Sequence, residues 1–246
     1  SDEVFDYCFH TAARVGGKGF ITSNPIDVAE DLAIDSDMFN WACRTRQNKL
    51  VLFSSSAAYP TEFQTRENKR MLSEDMLDVS KNVLHNGLDG VYSLIKICTE
   101  HLAKYAHKQY GIKSCILRPF SGYSFDQATS YPFKNLLNEV KKSNGQVKVW
   151  STGEAVRDFI WMDDLVDGVF RIMDQIDDAD VVNLGTGMGT SFRELISKMA
   201  IAMKKDIPEI IPQLDKPEGV FYRVADTTKM KSMGFVPRKT IEEGIE

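Results

Sequence analysis

Tyr92 and Lys96 stand four residues apart in the run Tyr92-Ser-Leu-Ile-Lys96, and on a helix that spacing puts both side chains on one face. An ammonium beside a phenol favours the phenolate, drawing down a pKa that is ordinarily about 10, so the tyrosine can serve as a general acid or base. The plain alternative is a solvated helix face, since a chain with eight tyrosines supplies about half of one such pair by composition alone. A second chemistry-bearing run is Leu52-Phe-Ser-Ser55-Ser56-Ala-Ala-Tyr59-Pro60, where an apolar stretch ends in hydroxyls at a turn. Those hydroxyls either cap their own turn or offer a hydrogen bond to a substrate oxygen beside the phenol, at a sheet's carboxyl edge.

Strands and helices must hold these groups. Apolar runs at Phe5 to His10, Lys49 to Ser54, Ser114 to Arg118 and Val181 to Leu184 read as buried strands. Ile26 to Thr45, Gly90 to Tyr110 and Asp163 to Gln175 read as helices between them, with Asp163 and Asp164 as a helix cap. That alternation predicts an α/β protein, a doubly wound parallel sheet. Thr61 to Asn86 is charged and weakly periodic and reads as a solvated surface excursion. After Arg118 the elements shorten, which suggests a smaller lobe capping the carboxyl ends of the strands. Residues 1–118 are therefore assigned to the sheet domain and 119–246 mainly to a substrate lobe, with some segments returning to the sheet.

The 246 residues are 43% hydrophobic with a net charge of -5, which gives no chain-wide electrostatic reason to bind nucleic acid or an anionic membrane. Neither a membrane span nor a signal-peptide pattern is legible. Cys8, Cys43, Cys98 and Cys115 are scattered, without CxxC or a histidine at ligand spacing, and read as reduced thiols of a cytoplasmic protein with no metal site.

Further segments complete an ordered series: His10-Thr-Ala12-Ala13, Leu117-Arg-Pro119-Phe-Ser121-Gly-Tyr123, Val149-Trp150-Ser-Thr-Gly, Arg157-Asp-Phe-Ile, and Asn183-Leu-Gly-Thr-Gly. With the serine turn and YxxxK, the series resembles the extended short-chain dehydrogenase/reductase family, the NAD-dependent sugar-nucleotide epimerases and dehydratases, over nearly the whole chain. The resemblance implies a Rossmann-like sheet, an NAD or NADP cofactor and a nucleotide-diphosphate sugar as substrate. It implies that Tyr92 exchanges a proton with a sugar oxygen, that Lys96 holds the cofactor ribose and keeps Tyr92 acidic, and that Ser55 is the catalytic serine. Ala12, Ala13 and Pro119, with Tyr92 and Lys96, would line the cofactor site. Ser56, Ser121, Trp150, Arg157 and Arg223 would contact substrate, the arginines as bidentate diphosphate ligands. The family's homodimers imply a helix bundle built from Ile26 to Thr45 and Gly90 to Tyr110. Gly185, Gly187 and Gly189 do not spell GxGxxG and read as a structural turn.

The family's opening strand, GxxGxxG turn and helix have no counterpart, so the sequence is expected to be an N-terminally truncated form, short of about 60 residues. A non-catalytic nucleotide-sugar-binding protein or an inactive fragment is the competing expectation. The segments look closest to the GDP-fucose synthases and GDP-mannose 3,5-epimerases. Ala57, however, stands where those enzymes carry a proton-transferring cysteine, and Tyr131 falls near the synthases' histidine. Ala57 and Ala58 also replace the acidic pair of the 4,6-dehydratases. What remains is hydride and proton exchange at one carbon, C4, as in a 4-epimerase or 4-ketoreductase. Ser121, where the family often has asparagine, departs from the pattern of sugar contacts.

Overall fold

Leu50 and Leu52 belong to one buried cluster and Val51, between them, to another, as a strand covered on both faces requires. The computed structural model describes residues 2–14, 16–77 and 89–245. In chain order the strands are β1 (Cys8–His10), β2 (Lys49–Phe53), β3 (Met71–Leu72), β4 (Lys113–Pro119), β5 (Ser121–Tyr123), β6 (Gln146–Trp150), β7 (Val156–Trp161), β8 (Asp178–Leu184), β9 (Gly189–Ser191), β10 (Glu209–Gln213) and β11 (Tyr222–Ala225). The helices are α1 (Lys18–Ser23), α2 (Pro25–Ala29), α3 (Asp31–Thr45), α4 (Val91–Tyr110), α5 (Pro132–Lys142), α6 (Met162–Ile172), α7 (Phe192–Ala202), α8 (Thr228–Ser232) and α9 (Ile241–Ile245). No helix among the described residues is long and apolar enough to cross a membrane.

The main sheet is parallel, ordered β1-β2-β4-β8. Leu50, Leu52, Ile116 and Val181 pack under Phe39 and Ala42 of α3 and Ala103 and Ala106 of α4. Val51, Cys115, Leu117 and Val182 pack under Leu165, Val169 and Ile172 of α6 and Met230 of α8. The chain is thus an α/β, Rossmann-like sheet with helices on both faces. A second sheet, β3-β11-β7-β5 with β9 antiparallel to β7, and the parallel pair β10-β6 carry the other site segments. There α5, α7 and α9 cover Val147, Val149 and Phe159 in a third core.

Local chemistry sets the element ends. Ser191 and Glu194 form a capping box at α7, Gly111 closes α4 in the left-handed region at φ 72°, and Pro132 opens α5. The first strand is shorter than the sequence suggests because Phe5 donates its amide to the Gln47 side chain (2.8 Å) instead of a neighbouring strand. The helix expected over Ile26 to Thr45 is divided at Glu30, whose amide bonds back to Asp27 (3.3 Å) in a tighter turn.

Two sequence readings are corrected. Asp163 and Asp164 do not cap α6, whose N-cap is Trp161. Asp164 is buried and accepts from the amides of Arg238 (2.9 Å) and Lys239 (2.8 Å), tying the C-terminal segment to α6, while Asp163 accepts from the Trp161 indole (3.0 Å). The excursion after Thr61 is not merely solvated: Gln64, Leu72 and Leu77 are buried and β3 joins the second sheet. Its last part, 78–86, lies outside the described residues.

Asp158, fully buried, pins the Asn183-Leu-Gly-Thr-Gly turn by accepting from the Thr186 amide (2.8 Å) and hydroxyl (2.6 Å), the Gly187 amide (2.9 Å) and the Ala225 amide (3.2 Å). A Cβ on Gly185 would sit 2.7 Å from the same carboxylate, and Gly187 holds φ 77°, so these glycines form a structural turn. Asp158→Ala strands three amides, the Ala225 one buried and those of Thr186 and Gly187 part-buried, and is expected to cost about 3 kcal/mol in urea unfolding. A loss below about 1 kcal/mol would show that the turn holds without the carboxylate.

Candidate functional site

The carboxyl ends of β1, β2 and β4 surround a cleft of about 240 Å³. His10, Thr11, Ala12 and Ala13 leave β1 along one wall, and Phe53, Ser54 and Ser55 leave β2 along another. Pro119 and Phe120 close it from β4, and Tyr92 and Lys96 enter from the start of α4. Parallel strands end at the same level, so three segments remote in sequence converge on one helix. All of the sequence-derived catalytic and cofactor positions (Ser55, Tyr92, Lys96, Ala12, Ala13 and Pro119) line this one cleft.

Ser55 caps its own turn and stands beside the Tyr92 phenol. Its hydroxyl accepts from the Ala57 amide (3.0 Å), capping the turn, and it also hydrogen-bonds the Tyr92 phenol. Burial pushes the Tyr92 pKa up from its ordinary value, while the Ser55 bond and the Arg223 charge pull it down and Asp31 adds to the rise. The net direction is upward, contrary to the expectation that Lys96 keeps this phenol acidic. The lysine's Nζ lies 5.5 Å from the centre of the Tyr92 ring and donates to the Phe53 carbonyl (3.0 Å). Burial lowers the Lys96 pKa, against the opposing fields of Asp35, Asp31 and Glu100.

Phe120 also lines a second, larger cavity of about 760 Å³ on the side of the second sheet. Ser121, Trp150, Arg157 and Arg223 line it. Ser56 does not: it is buried in its turn and lines neither cavity. Arg157 and Arg223 are direct register partners on β7 and β11. Arg223 donates to Gln64 Oε1 (2.6 Å) and to Asp89 Oδ2 (2.9 Å). Arg157 donates to its neighbour's carbonyl, at Val156 (2.8 Å), lies 5.6 Å from the centre of the Phe192 ring, and has no ion-pair partner among the described residues. Burial, with the Arg223 charge beside it, lowers its pKa to about 9. Two guanidinium groups stand in register, with Asp89 bonded to Arg223 and the charges of Asp89 and Glu218 both acting on Arg157, and a planar fork of this kind suits an anionic guest.

Some of the site was not read from the sequence. Asp89 and Gln64, which orient Arg223, carried no motif. The Glu100–Arg118 pair beneath the cleft was signalled only by one more four-residue step after Tyr92 and Lys96. Tyr131, which precedes α5, lines the larger cavity with its phenol raised by burial and by its proximity to Tyr92.

Comparison with known proteins accords with this geometry. The chain is 26% identical to a putative GDP-L-fucose synthase 2 of Oryza sativa subsp. japonica, over 99% of its own length and 71% of the relative's. It is 27% identical to a GDP-mannose 3,5-epimerase of Arabidopsis thaliana, over 99% of its own length and 64% of the relative's. The fold superposes on the UDP-glucose 4-epimerase of Thermotoga maritima, crystallised with UDP-glucose, with a TM-score of 0.82 at 22% identity, covering 98% of this chain and 74% of that one. A GDP-mannoheptose C4 reductase of Campylobacter jejuni with NADP bound gives 0.81 at 22%, covering 98% and 79%. Residues 1–185 match the sequence profile of the NAD dependent epimerase/dehydratase family. A match over three quarters of the chain, from the first strand through the asparagine-glycine turn, makes this protein a member of that family of sugar-nucleotide epimerases and reductases.

Proposed function

We propose that the chain is an NAD(P)-dependent sugar-nucleotide epimerase or ketoreductase that works at C4 through Tyr92, Lys96 and Ser55. The observation that carries this reading is the pair of in-register arginines, one without a counter-ion among the described residues, in a cavity that meets the Tyr92 cleft at Phe120. A diphosphate between the arginines leaves its sugar on the Phe120 side, within reach of the phenol.

The smaller cleft has the bulk of a nicotinamide riboside. Its alanine wall admits a flat ring, and Lys96 has two N–H groups beyond its Phe53 bond to offer ribose hydroxyls. A nicotinamide bound there supplies hydride exchange at the sugar carbon. Tyr92 carries the proton for the oxygen on that carbon, and Ser55 orients the phenol. Arg157 and Arg223 grip the diphosphate, so that the sugar is presented without rotation about its linkage. Phe120 stands where the two compartments adjoin. Half-exposed Tyr105 and Tyr110 on α4 and Leu32 on α3 support a homodimer through a helix bundle.

Calorimetric titration tests the reading. NADH or NADPH and nucleoside-diphosphate sugars are both expected to bind saturably, and Arg157→Met should weaken the sugar nucleotide about 10- to 100-fold while sparing the dinucleotide. Sugar-nucleotide binding without any dinucleotide binding would replace this reading by a non-catalytic nucleotide-sugar-binding protein.

A further inference from the structure

α3 and α4 pack on the same face of the main sheet, and each leads from one parallel strand to the next, so the two helices run side by side in the same direction. Asp35 sets their alignment: Oδ2 accepts from the Thr99 hydroxyl, and Oδ1 shares a hydrogen bond with His10 Nε2 (2.7 Å). One turn earlier on each helix, Asp31 faces the stretch of α4 that carries Tyr92 and Lys96. Asp31 is 1% exposed. Its Oδ1 accepts from the Arg14 amide (2.6 Å), directly after the Ala12-Ala13 wall of the cleft. Its Oδ2 is buried with no hydrogen-bond partner among the described residues. An open carboxylate oxygen in a dry site costs stability, and proteins keep such groups chiefly where function uses them.

Three carboxylates, Asp35, Asp31 and Glu100, oppose the burial that lowers the Lys96 pKa. Two of them are fully engaged: Asp35 by His10 and Thr99, and Glu100 by Ser54 and by two bonds from Arg118. Asp31 is the one with an oxygen to spare, and the one whose charge also reaches Tyr92. There burial raises the phenol's pKa, the Ser55 bond lowers it, Asp31 raises it and Arg223 lowers it. The cations nearest this group are answered elsewhere, Arg14 by Glu30 (2.5 Å) and Arg223 by Asp89 (2.9 Å). Lys96 donates to the Phe53 carbonyl, so Asp31 acts on it through space. A negative charge beside an ammonium and a phenol acts on both in the same sense, holding each proton in place. Asp31 lines neither cavity, so it works through Tyr92 and Lys96 and not on a ligand.

We propose that Asp31 is a positioning residue of this site, whose open carboxylate oxygen supplies the charge that keeps Lys96 an ammonium and the Tyr92 phenol protonated, an inference that rests on the reading of Tyr92 and Lys96 above. The pair is thereby set to give a proton to a ketone oxygen. The test follows two titrations in the protein without ligand. The Lys96 Nζ signal is read by ¹⁵N NMR and assigned by its loss in Lys96→Met, and the Tyr92 phenolate is the ultraviolet absorbance missing from Tyr92→Phe. Asp31→Asn is expected to move both midpoints down by about one pH unit, whereas Asp35→Asn should move Lys96 alone. Asp31→Glu, which keeps the charge, should leave both near their places. Where Asp31→Asn does not fold, Asp31→Ser removes the same charge, keeps an oxygen for the Arg14 amide and carries the same expectation. Either midpoint unmoved in the folded neutral variant overturns the role of Asp31. Calorimetric titration of the unmutated protein with NADH and NADPH separates the two readings. Unmoved midpoints with a dinucleotide bound sink Asp31 alone, while binding of neither removes the catalytic reading and the role of Asp31 with it.

Discussion

Tyr92→Phe is expected to lower turnover about 10²- to 10⁴-fold, the usual worth of a positioned proton donor or acceptor, while binding of nucleotide and dinucleotide is retained. The variant removes one oxygen from a half-buried ring, so packing is preserved and only the Ser55 bond and the proton are lost. The raised pKa gives the accompanying pH dependence a sign. A phenol whose pKa is raised by desolvation stays protonated through neutrality, ready to donate when a sugar ketone is reduced. Reduction should therefore be flat around neutral pH and fall on the alkaline side, whereas alcohol oxidation, which needs the phenolate, should rise with pH. Steady-state rates in both directions check this. Full activity in Tyr92→Phe would remove the tyrosine from the mechanism. A reduction rate that climbs steadily with pH would reverse the assigned protonation state.

The second large effect is on stability. Arg118 and Glu100 are both completely buried and meet through two bonds, Nε to Oε1 (2.8 Å) and one terminal nitrogen to Oε2 (2.7 Å). Arg118 also donates to the Leu77 carbonyl (3.0 Å) and its guanidinium carbon lies 4.7 Å from the centre of the Tyr59 ring, and Ser54 donates to Glu100 (2.5 Å). Burial works to deprotonate Arg118, and the Glu100 charge overrides it, leaving the pKa raised. Glu100→Ala strands a guanidinium in the core and is expected to cost about 3–5 kcal/mol. For a chain of this size that is a fall in Tm on the order of 10 °C. The double variant Glu100→Leu with Arg118→Met should regain most of the loss, because the penalty lies in the uncompensated charge more than in the net worth of the pair. Thermal and urea unfolding of the three proteins decides it. A double variant as unstable as the single one would mean that the pair's geometry, rather than its charge balance, holds the strand ends.

That pair anchors the floor of the Tyr92 cleft. Ser54 immediately precedes Ser55, Glu100 lies one turn beyond Lys96 on α4, and Arg118 immediately precedes Pro119. The ion pair thus fixes the relative height of β2, β4 and α4, three elements that line the Tyr92 cleft. Tyr59 extends the same framework, donating to Asn183 Oδ1 (2.7 Å), whose Nδ2 donates to the Leu72 carbonyl (2.7 Å). The Asn183 amide in turn donates to Glu74 (2.8 Å). The motif residues outside the cleft are, in this fold, the struts between those that line it.

Local sequence signals determined the parts governed by nearest neighbours. Continuous apolar runs marked the four strands of the main sheet, since parallel strands are buried on both faces. Helical spacing put Tyr92 and Lys96 on one face of α4, and the glycines after Asn183 announced a turn. The ordered motifs pointed to the family. Only the tertiary structure decided which distant charges meet. The register of β7 against β11 set Arg157 beside Arg223, and the packing of the 61–77 segment brought Gln64 to Arg223. It also made Asp164 an anchor for residues 238 and 239 instead of a helix cap, and it set the upward direction of the Tyr92 pKa. The reason is physical: periodicity and capping act over a few residues and are written locally, whereas burial and electrostatic pairing depend on which elements pack together. That is a property of the whole chain.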